Sequence, residues 1–293
     1  MTWQACATRP AALPRGLSHS GYRARSGRLH KAQGTGKHPP MNDSNPESPA
    51  PDAAPDAAPN AATKRLALIT GASRGLGAAL AQALGARGWQ IVAVARTTGA
   101  LEALDDAIRA ASGPPATLAP LDITQDDAMR HLCRSVHDRW GGVDLWAHTA
   151  VHTPPLTPAG HIAPKDWDRT LTTTLRATGL LIPMIEPLLR ARLGTALFFD
   201  DESWRAADDT PRKFHGAWAA AKAGQIALAR AWAAECAALG PARAPRVFIE
   251  TPAPMPTASR ARFYPGEDRA ALSPPATQAT AILDRLAAAG MAV

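Results

Sequence analysis

The stretch RLALITGASRGLGAALAQALGAR, residues 65–87, decides the fold. Its first six residues form a short apolar run, which predicts a buried strand. Gly71, Gly75 and Gly77 follow closely, and an Ala- and Leu-rich segment of helical period comes next. Glycines at a strand-to-helix junction let the backbone turn sharply and let a phosphate approach the positive end of the helix. The stretch therefore predicts a strand, a phosphate-binding turn and a helix.

The same alternation of short apolar runs and longer helical segments continues from residue 64 to the end of the chain. This texture is typical of repeated βα units around a parallel sheet. The predicted strands are Arg65–Thr70, Gln90–Ala95, Ala116–Leu121, Val143–Thr149, Thr195–Asp200 and Arg246–Thr251. The predicted helices are Gly75–Arg87, Leu101–Ala111, Asp126–Trp140, Lys165–Leu189, His215–Leu239 and Ser273–Ala289.

The basic charge of the chain lies in its first forty residues. The formal net charge is +7, and residues 1–40 hold seven basic residues and no acidic one. Removing these seven from 32 leaves 25 basic residues, against 25 acidic ones, in residues 41–293. A neutral folded part argues against nucleic acid as a partner, because that binding needs clustered positive charge.

The composition predicts a disordered extension, residues 1–62, in front of one domain, residues 63–293. The extension is rich in Pro, Ala, Ser and Asp and has few aliphatic residues, so it cannot bury enough surface to offset the entropy of ordering. Translation starting at Met41 would explain the acid-free segment before it. A transit peptide is the alternative, since that segment is Arg-rich.

The length of the apolar runs and the spacing of the cysteines exclude several kinds of protein. No apolar run reaches the eighteen or more uncharged residues of a membrane-spanning helix, which excludes an integral membrane protein. Cys6, Cys133 and Cys236 are odd in number and widely separated, so neither a disulfide framework nor a zinc site is expected. A reducing compartment fits them, and we predict the cytoplasm.

The segment TGASRGLG, residues 70–77, resembles the TGxxxGxG fingerprint of the short-chain dehydrogenase/reductase family. Further marks resemble that family in the same order: Asp122 in LDIT, Trp167 opening a long helix, Lys222 in AWAAAK, and the TPAPMPT segment, residues 251–257. The resemblance covers roughly residues 64–286. It implies an α/β fold with a single Rossmann-type, doubly wound parallel sheet of about six strands, with helices on both faces.

The resemblance also implies a dinucleotide site. The residues that it places there are Gly71, Ser73, Arg74, Gly75, Leu76, Gly77, Arg96, Asp122, Ile123, Ala147, Lys222, Pro252 and Thr257. An acid at the end of the second strand would favour NAD, but Ala95 stands there, followed by Arg96. Arg96 and Arg74 suit a 2′-phosphate, which predicts NADP(H). The alternative is that both are solvated loop arginines.

The catalytic positions depart from the family. Lys222 is retained, whereas Trp218 stands at the position of the family's Tyr, Asp201 at that of its Ser and Thr174 at that of its Asn. A slip in the alignment would make Ser203 the equivalent of the family's Ser. An indole N–H donates a hydrogen bond but does not ionise usefully, so Trp218 cannot act as a general acid.

Three interpretations of Asp200, Asp201 and Glu202 stay open: an acid–base pair, metal ligands, or a solvated acidic loop. Successive side chains of a continuing strand point to opposite faces, which disfavours metal, and no metal site is predicted. His148 near the end of the fourth strand and Tyr264 in a lid-like segment are the other candidate proton donors. The alternative for His148 is a structural histidine with both ring nitrogens bonded.

Two functions remain in view at this point. In the first, the chain binds NADP(H) but is catalytically impaired, and acts as a cofactor sensor or the partner of an active paralogue. In the second, it is an active oxidoreductase on a small carbonyl or alcohol substrate, with Asp201, His148 or Tyr264 as a rearranged proton donor. The resemblance implies that the two long helices, Lys165–Leu189 and His215–Leu239, pair with those of a second chain, as a homodimer or as a heteromer with a paralogue. The alternative is that their apolar residues belong to the core of a single chain.

Overall fold

The computed structural model describes residues 64–205, 212–291 and 293. The predicted extension, residues 1–62, and its boundary therefore lie outside the described residues. Six parallel strands form one sheet in the order β3-β2-β1-β4-β5-β6. They are β1 Leu66–Thr70, β2 Gln90–Ala95, β3 Thr117–Pro120, β4 Leu145–His148, β5 Thr195–Phe199 and β6 Arg246–Glu250. The strand number, the order and the parallel pairing confirm the doubly wound Rossmann-type prediction.

The helices follow the strands in alternation. They are α1 Gly75–Gly85, α2 Thr98–Ala110, α3 Asp126–Trp140, α4 Pro164–Thr170, α5 Ala177–Arg192, α6 Gly216–Leu239, α7 Ala258–Phe263 and α8 Pro275–Ala288. None of the helices in the described part of the chain is both long and apolar enough to cross a membrane.

Two apolar cores lie on the two faces of the sheet. Alternate residues of β1 divide between them: Leu66 and Leu68 belong to one core, and Ala67 and Ile69 to the other. This division follows from the two-residue period of a strand. Both faces of the central strands are covered, and all five residues of β1 are buried. Such coverage is why the strands read as continuous apolar runs.

The predicted helix Lys165–Leu189 is wrong in one respect, because it is not a single regular helix. A π-helical turn, Leu171–Arg176, separates α4 from α5, and α5 continues to Arg192. The turn coincides with the threonine-rich sequence LTTTLR. Thr170 and Thr178 on either side bond back to carbonyls four residues earlier, Asp166 O at 2.5 Å and Thr174 O at 2.8 Å. Threonine hydroxyls compete in this way with the helix backbone.

The crevice of the fold opens where the chain leaves β1 and β4 in opposite directions, at the carboxyl ends of the strands. The two loops touch there. A Cβ added at Gly71 would lie 2.6 Å from the backbone N of Ala150. Only glycine allows this approach, and Gly71 also has a φ of +87°.

Candidate functional site

One large cavity, of about 920 Å³, lies at the carboxyl ends of the strands. It is lined by all but one of the residues predicted for the dinucleotide: Gly71, Ser73, Arg74, Gly75, Leu76, Gly77, Arg96, Asp122, Ile123, Lys222, Pro252 and Thr257. The exception is Ala147, which does not line the cavity. Ala147 lies in β4 and is fully buried in the apolar core, and the lining begins one residue later, at His148.

The glycine turn forms a cradle that side chains would fill. Gly75 has a φ of +58°, and a Cβ there would lie 3.3 Å from the methyl carbon of Thr257 across the cavity. A Cβ at Gly77 would lie 2.5 Å from the carbonyl oxygen of Gly71. The open end of α1 faces this turn, and its first backbone N–H groups have no intrahelical acceptors. These N–H groups suit an anionic group such as a pyrophosphate.

Positive charge gathers at the far end of the cradle. Arg74 and Arg96 are exposed and line the cavity, and Ala95 leaves the end of β2 without an acid. Nη1 of Arg96 lies 4.0 Å from Oδ2 of Asp122, while Oδ1 of Asp122 accepts hydrogen bonds from N and Oγ1 of Thr124. Among the residues that the structure describes, Asp122 is the acid that pairs with this cluster, through Arg96.

Lys222 lies beneath the middle of the cavity and is only 3% exposed. Its Nζ donates to the carbonyl oxygen of Phe199 at 2.5 Å and to Oε1 of Gln225 at 2.6 Å. Burial lowers the pKa of Lys222 to about 8, although Asp201 and Asp200 nearby act in the opposite direction.

The structure brings Asp201, Ser203 and Trp218 together. Nε1 of Trp218 donates to Oδ2 of Asp201 at 3.2 Å and lies 3.3 Å from Oγ of Ser203. Ser203 donates to Asp201 from both its N, at 2.8 Å, and its Oγ, at 2.7 Å. All three side chains line the cavity. The carboxylate of Asp201 acts here as a hydrogen-bond acceptor for a serine and an indole, and the group contains no ionisable donor.

Asp200 and Asp201 play different parts, and the interpretation as a solvated acidic loop is wrong for Asp200. Asp200 is 5% exposed, and its Oδ2 lies 3.3 Å from Nη2 of Arg205 and 3.9 Å from Nη2 of Arg230. These cations compensate the buried charge. Asp201 is half-buried. Within the described part of the chain, no three His, Cys, Asp or Glu side chains converge as a metal site.

The side chain of Thr174 does not line the cavity. Thr173 lines it instead. The π-helical turn places Thr174 inside, fully buried, where its Oγ1 accepts from N of His152 at 3.2 Å. The carbonyl of Thr174 accepts from Nε2 of Gln225 at 3.0 Å.

His148 lies at the bottom of the cavity and is 3% exposed. Its Nδ1 is 2.7 Å from Oγ1 of Thr70, and its Nε2 is 2.9 Å from Oγ1 of Thr178. Burial and, second, the charge of Lys222 lower the pKa of His148 to about 3. A neutral ring with both nitrogens bonded is a structural hydrogen-bonding group near neutral pH.

Tyr264 reaches the cavity from a lid formed by α7 and the segment after it, residues 258–272. Its OH donates to the carbonyl oxygen of Ser203 at 3.0 Å. The guanidinium of Arg260 lies 4.0 Å from the centre of the Tyr264 ring and forms a two-pronged pair with Glu267 at 2.6 and 2.7 Å. Phe263, next to Tyr264, packs on Trp218 with ring centres 5.6 Å apart. The lid thus carries a phenol to the group of substituted residues.

Sequence reasoning missed Gln225 and Arg260. Gln225 stands three residues after Lys222 on α6, so helical spacing could have indicated a contact between them. Arg260 and Glu267 could have been identified only from the fold of the lid, which no local pattern predicts.

The fold and this cavity identify the class of protein, and comparison with known families agrees. The profile of the short chain dehydrogenase family matches residues 65–265. The chain belongs to this family.

Three relatives illustrate its position in the family. Dehydrogenase/reductase SDR family member 11 of Mus musculus is 39% identical over 95 residues, which are 32% of this chain and 36% of that protein. D-threitol dehydrogenase of Mycolicibacterium smegmatis is 28% identical over 172 residues, or 58% and 64% of the two chains. The chain thus spans less than two thirds of either curated relative. A metagenomic short-chain oxidoreductase solved in complex with NADP is 27% identical with a TM-score of 0.62, covering 76% of this chain and 90% of that one.

Proposed function

We propose that this chain binds NADP(H) in the large cavity and reduces or oxidises carbonyl and alcohol substrates poorly. The observation that carries the first part is the glycine cradle beside two exposed guanidiniums, at a strand end that has no acid. The NADP complex of the metagenomic relative supports the same cofactor. The proposal for poor catalysis depends on the residues at the other end of the cavity.

Each part of the cofactor has a suitable set of residues in the cradle. The open end of α1, with Gly75 and Gly77, would hold the pyrophosphate. Arg74 and Arg96 would hold the 2′-phosphate through charge-assisted hydrogen bonds. Lys222, which has one N–H beyond its two internal bonds, would donate to a ribose hydroxyl.

Bound NADPH supplies a hydride, so the protein has to supply a proton when a carbonyl is reduced. Trp218 occupies the position of the family's acid and cannot release a proton near neutral pH. Its N–H also points to Asp201 and Ser203. General acid catalysis is worth about 10²- to 10⁴-fold, so we expect turnover to fall short of ordinary carbonyl reductases by about that factor.

An active enzyme with a rearranged donor is the second candidate, and one observation favours Tyr264 for the role. Tyr264 lines the cavity, and its hydroxyl lies 3.0 Å from the carbonyl oxygen of Ser203. His148 is less suited because its ring is neutral, buried and bonded at both nitrogens. Asp201 is less suited because its oxygens already accept bonds from Ser203 and Trp218.

Calorimetric titration of the full chain with NADPH and with NADH, at fixed salt, tests the cofactor proposal. We expect clear binding of NADPH and weak binding of NADH. Equal affinities would contradict the role of the two arginines, and no binding of either would contradict the function itself.

A screen of small aldehydes, ketones and alcohols then separates the two candidates. The double variant Trp218→Tyr/Asp201→Ser should gain activity if the missing acid is what limits the wild type. The single variant Tyr264→Phe should change nothing under the first candidate. If Tyr264→Phe abolishes a measurable wild-type rate, the second candidate is the right one. A role as the partner of an active paralogue belongs to the first candidate, and co-purification with that paralogue would test it.

A further inference from the structure

A set of buried hydrogen bonds runs from Lys222 through Gln225 to Thr174 and Thr178. Gln225, 2% exposed, is its central member. Its Oε1 accepts from Nζ of Lys222 at 2.6 Å, and its Nε2 donates to the carbonyl of Thr174 at 3.0 Å and to Oγ1 of Thr178 at 2.8 Å. Both amide hydrogens and one amide lone pair are therefore used, and α6 is tied to the π-helical turn and to the start of α5.

The proton positions in this set follow from counting donors. Oγ1 of Thr178 donates its single hydrogen to the carbonyl of Thr174 at 2.8 Å. The short contact between Thr178 and Nε2 of His148 then requires Nε2 to carry a hydrogen. A neutral imidazole has only one N–H, so Nδ1 accepts, and the hydroxyl of Thr70 donates to it at 2.7 Å. The opposite tautomer would leave Thr70 only a bond of 3.4 Å, to the carbonyl of Ala147.

We infer that Gln225 is a positioning residue for Lys222: it holds the ammonium against the floor of the cavity and ends the path by which a proton could leave Lys222 through the interior. An amide side chain gains and loses no proton in the physiological range, so it transmits orientation and not a proton. The hydroxyls and the neutral ring behind it already have every hydrogen assigned. Lys222 is thereby a fixed donor toward the cavity.

The groups around Lys222 make this role measurable. The charged side chains near it are Asp200 and Asp201, after β5, and the titratable ring behind the amide is His148 on β4. From α5 and the π-helical turn it meets only the neutral groups of Thr174 and Thr178, through Gln225. The ammonium thus has two hydrogen-bond partners, of which only Gln225 can be changed by substitution.

The test measures the titration of Lys222 itself, in the full chain without cofactor, by NMR of ¹³Cε-labelled lysine. The chain has six lysines, and Lys222 is the only buried one among the residues that the structure describes. Its signal is the one absent from Lys222→Met. In Gln225→Met, loss of the acceptor should lower the midpoint by about one to two pH units. In Gln225→Glu, a carboxylate beside the ammonium should raise it by about one unit or more.

The matched control is Gln90→Met. Gln90 is also hydrogen-bonded, from Nε2 to the carbonyl of Pro115 at 2.9 Å, but it lies at the start of β2 and far from Lys222 along the sheet. We expect the midpoint of Lys222 to stay unchanged in this variant. If Gln225→Met folds and the titration midpoint of Lys222 is unchanged in it, the inference is overturned. If Gln225→Met does not fold, Gln225→Glu decides: a Lys222 midpoint that fails to rise in that variant overturns the inference.

The consequence for the cofactor depends on the proposed function, and a second measurement keeps the two apart. Gln225→Met should weaken NADPH binding in calorimetry, since Lys222 would no longer be held in place, whereas Gln90→Met should not. If NADPH fails to bind the wild type while the NMR midpoints move as expected, the proposed function is wrong and the role of Gln225 stands.

Discussion

Replacing His148 by Gln should flatten the dependence of stability on pH. The pKa of His148 is lowered to about 3 in the folded chain, against about 6.5 when the chain is unfolded. Below pH 6.5 the unfolded chain therefore takes up a proton that the folded chain refuses, and acid favours unfolding. The stability is fully present above pH 6.5 and falls by about 1.4 kcal/mol for each pH unit below it, down to the folded pKa. Between pH 7 and pH 5 the loss is about 2 kcal/mol.

Thermal unfolding of the full chain at pH 7, 6 and 5 measures this effect. A loss of about 2 kcal/mol lowers Tm by about 4 to 8 °C in a domain of this size. Gln at position 148 keeps an amide N–H for Thr178 and does not titrate. Between pH 7 and pH 5, the Tm of His148→Gln should therefore fall by about 4 to 8 °C less than the Tm of the wild type. His131→Gln, on the exposed side of α3, is the control and should keep the wild-type slope. If His148→Gln also keeps the wild-type slope, the ring is not held neutral, and His148 returns as a candidate proton donor.

Three further predictions concern the cavity. Gly77→Ala should abolish NADPH binding in calorimetry, because its Cβ would lie 2.5 Å from the Gly71 carbonyl and would push α1 out of place; binding at the wild-type Kd would contradict this. Arg96→Ala should weaken NADPH binding about 10- to 100-fold, the worth of one hydrogen bond to a charged group, and leave NADH unchanged. A parallel loss for NADH would refute the phosphate contact. Asp201→Ser should reduce the preference for NADP⁺ over NADPH by about fivefold. The reason is that the variant loses ~1 kcal/mol of Coulomb attraction between the carboxylate and the cationic nicotinamide ring of NADP⁺. If the ratio of the two dissociation constants is the same in wild type and variant, Asp201 does not have this role.

The sequence contained enough to predict the sheet and the cradle, because both depend on local patterns. Apolar runs locate the strands, and the glycine spacing of residues 71–77 requires the turn that the structure has. The prediction of one helix over residues 165–189 was wrong because helical period does not reveal hydroxyls that bond back to the backbone. The π-helical turn matters for the site, since it takes the side chain of Thr174 out of the cavity and brings in that of Thr173.

The questions that the sequence leaves open at the site depend on partners that are distant along the chain. Asp200 looks solvated in a run of acids, but the fold brings Arg230 of α6 to within 3.9 Å of it. His148 looks like a candidate donor at a strand end, but Thr70 and Thr178, 78 and 30 residues away, occupy both its nitrogens. Residue type and spacing identify which groups could take part in a reaction. Burial, hydrogen bonds and ion pairs decide which of these groups are available to react.

The two ends of the cavity come from different parts of the fold, and under the proposed function this division would let the cofactor site persist without the family's acid. The cofactor end is built from the glycine cradle after β1 and from the loops after β2 and β3. Asp201, Ser203 and Trp218, at the other end, belong to the loop after β5 and the first turns of α6. Lys222 is the residue on α6 that would serve both ends. Its two internal partners, the carbonyl of Phe199 and Gln225, lie on its buried side, and neither involves the position of the family's Tyr. A lysine supported in this way needs no tyrosine to stay in place. Under the proposed function, substitutions at the substrate end should therefore leave Lys222 in place as a donor to the ribose, and loss of Gln225 should damage cofactor binding more than loss of Trp218 does.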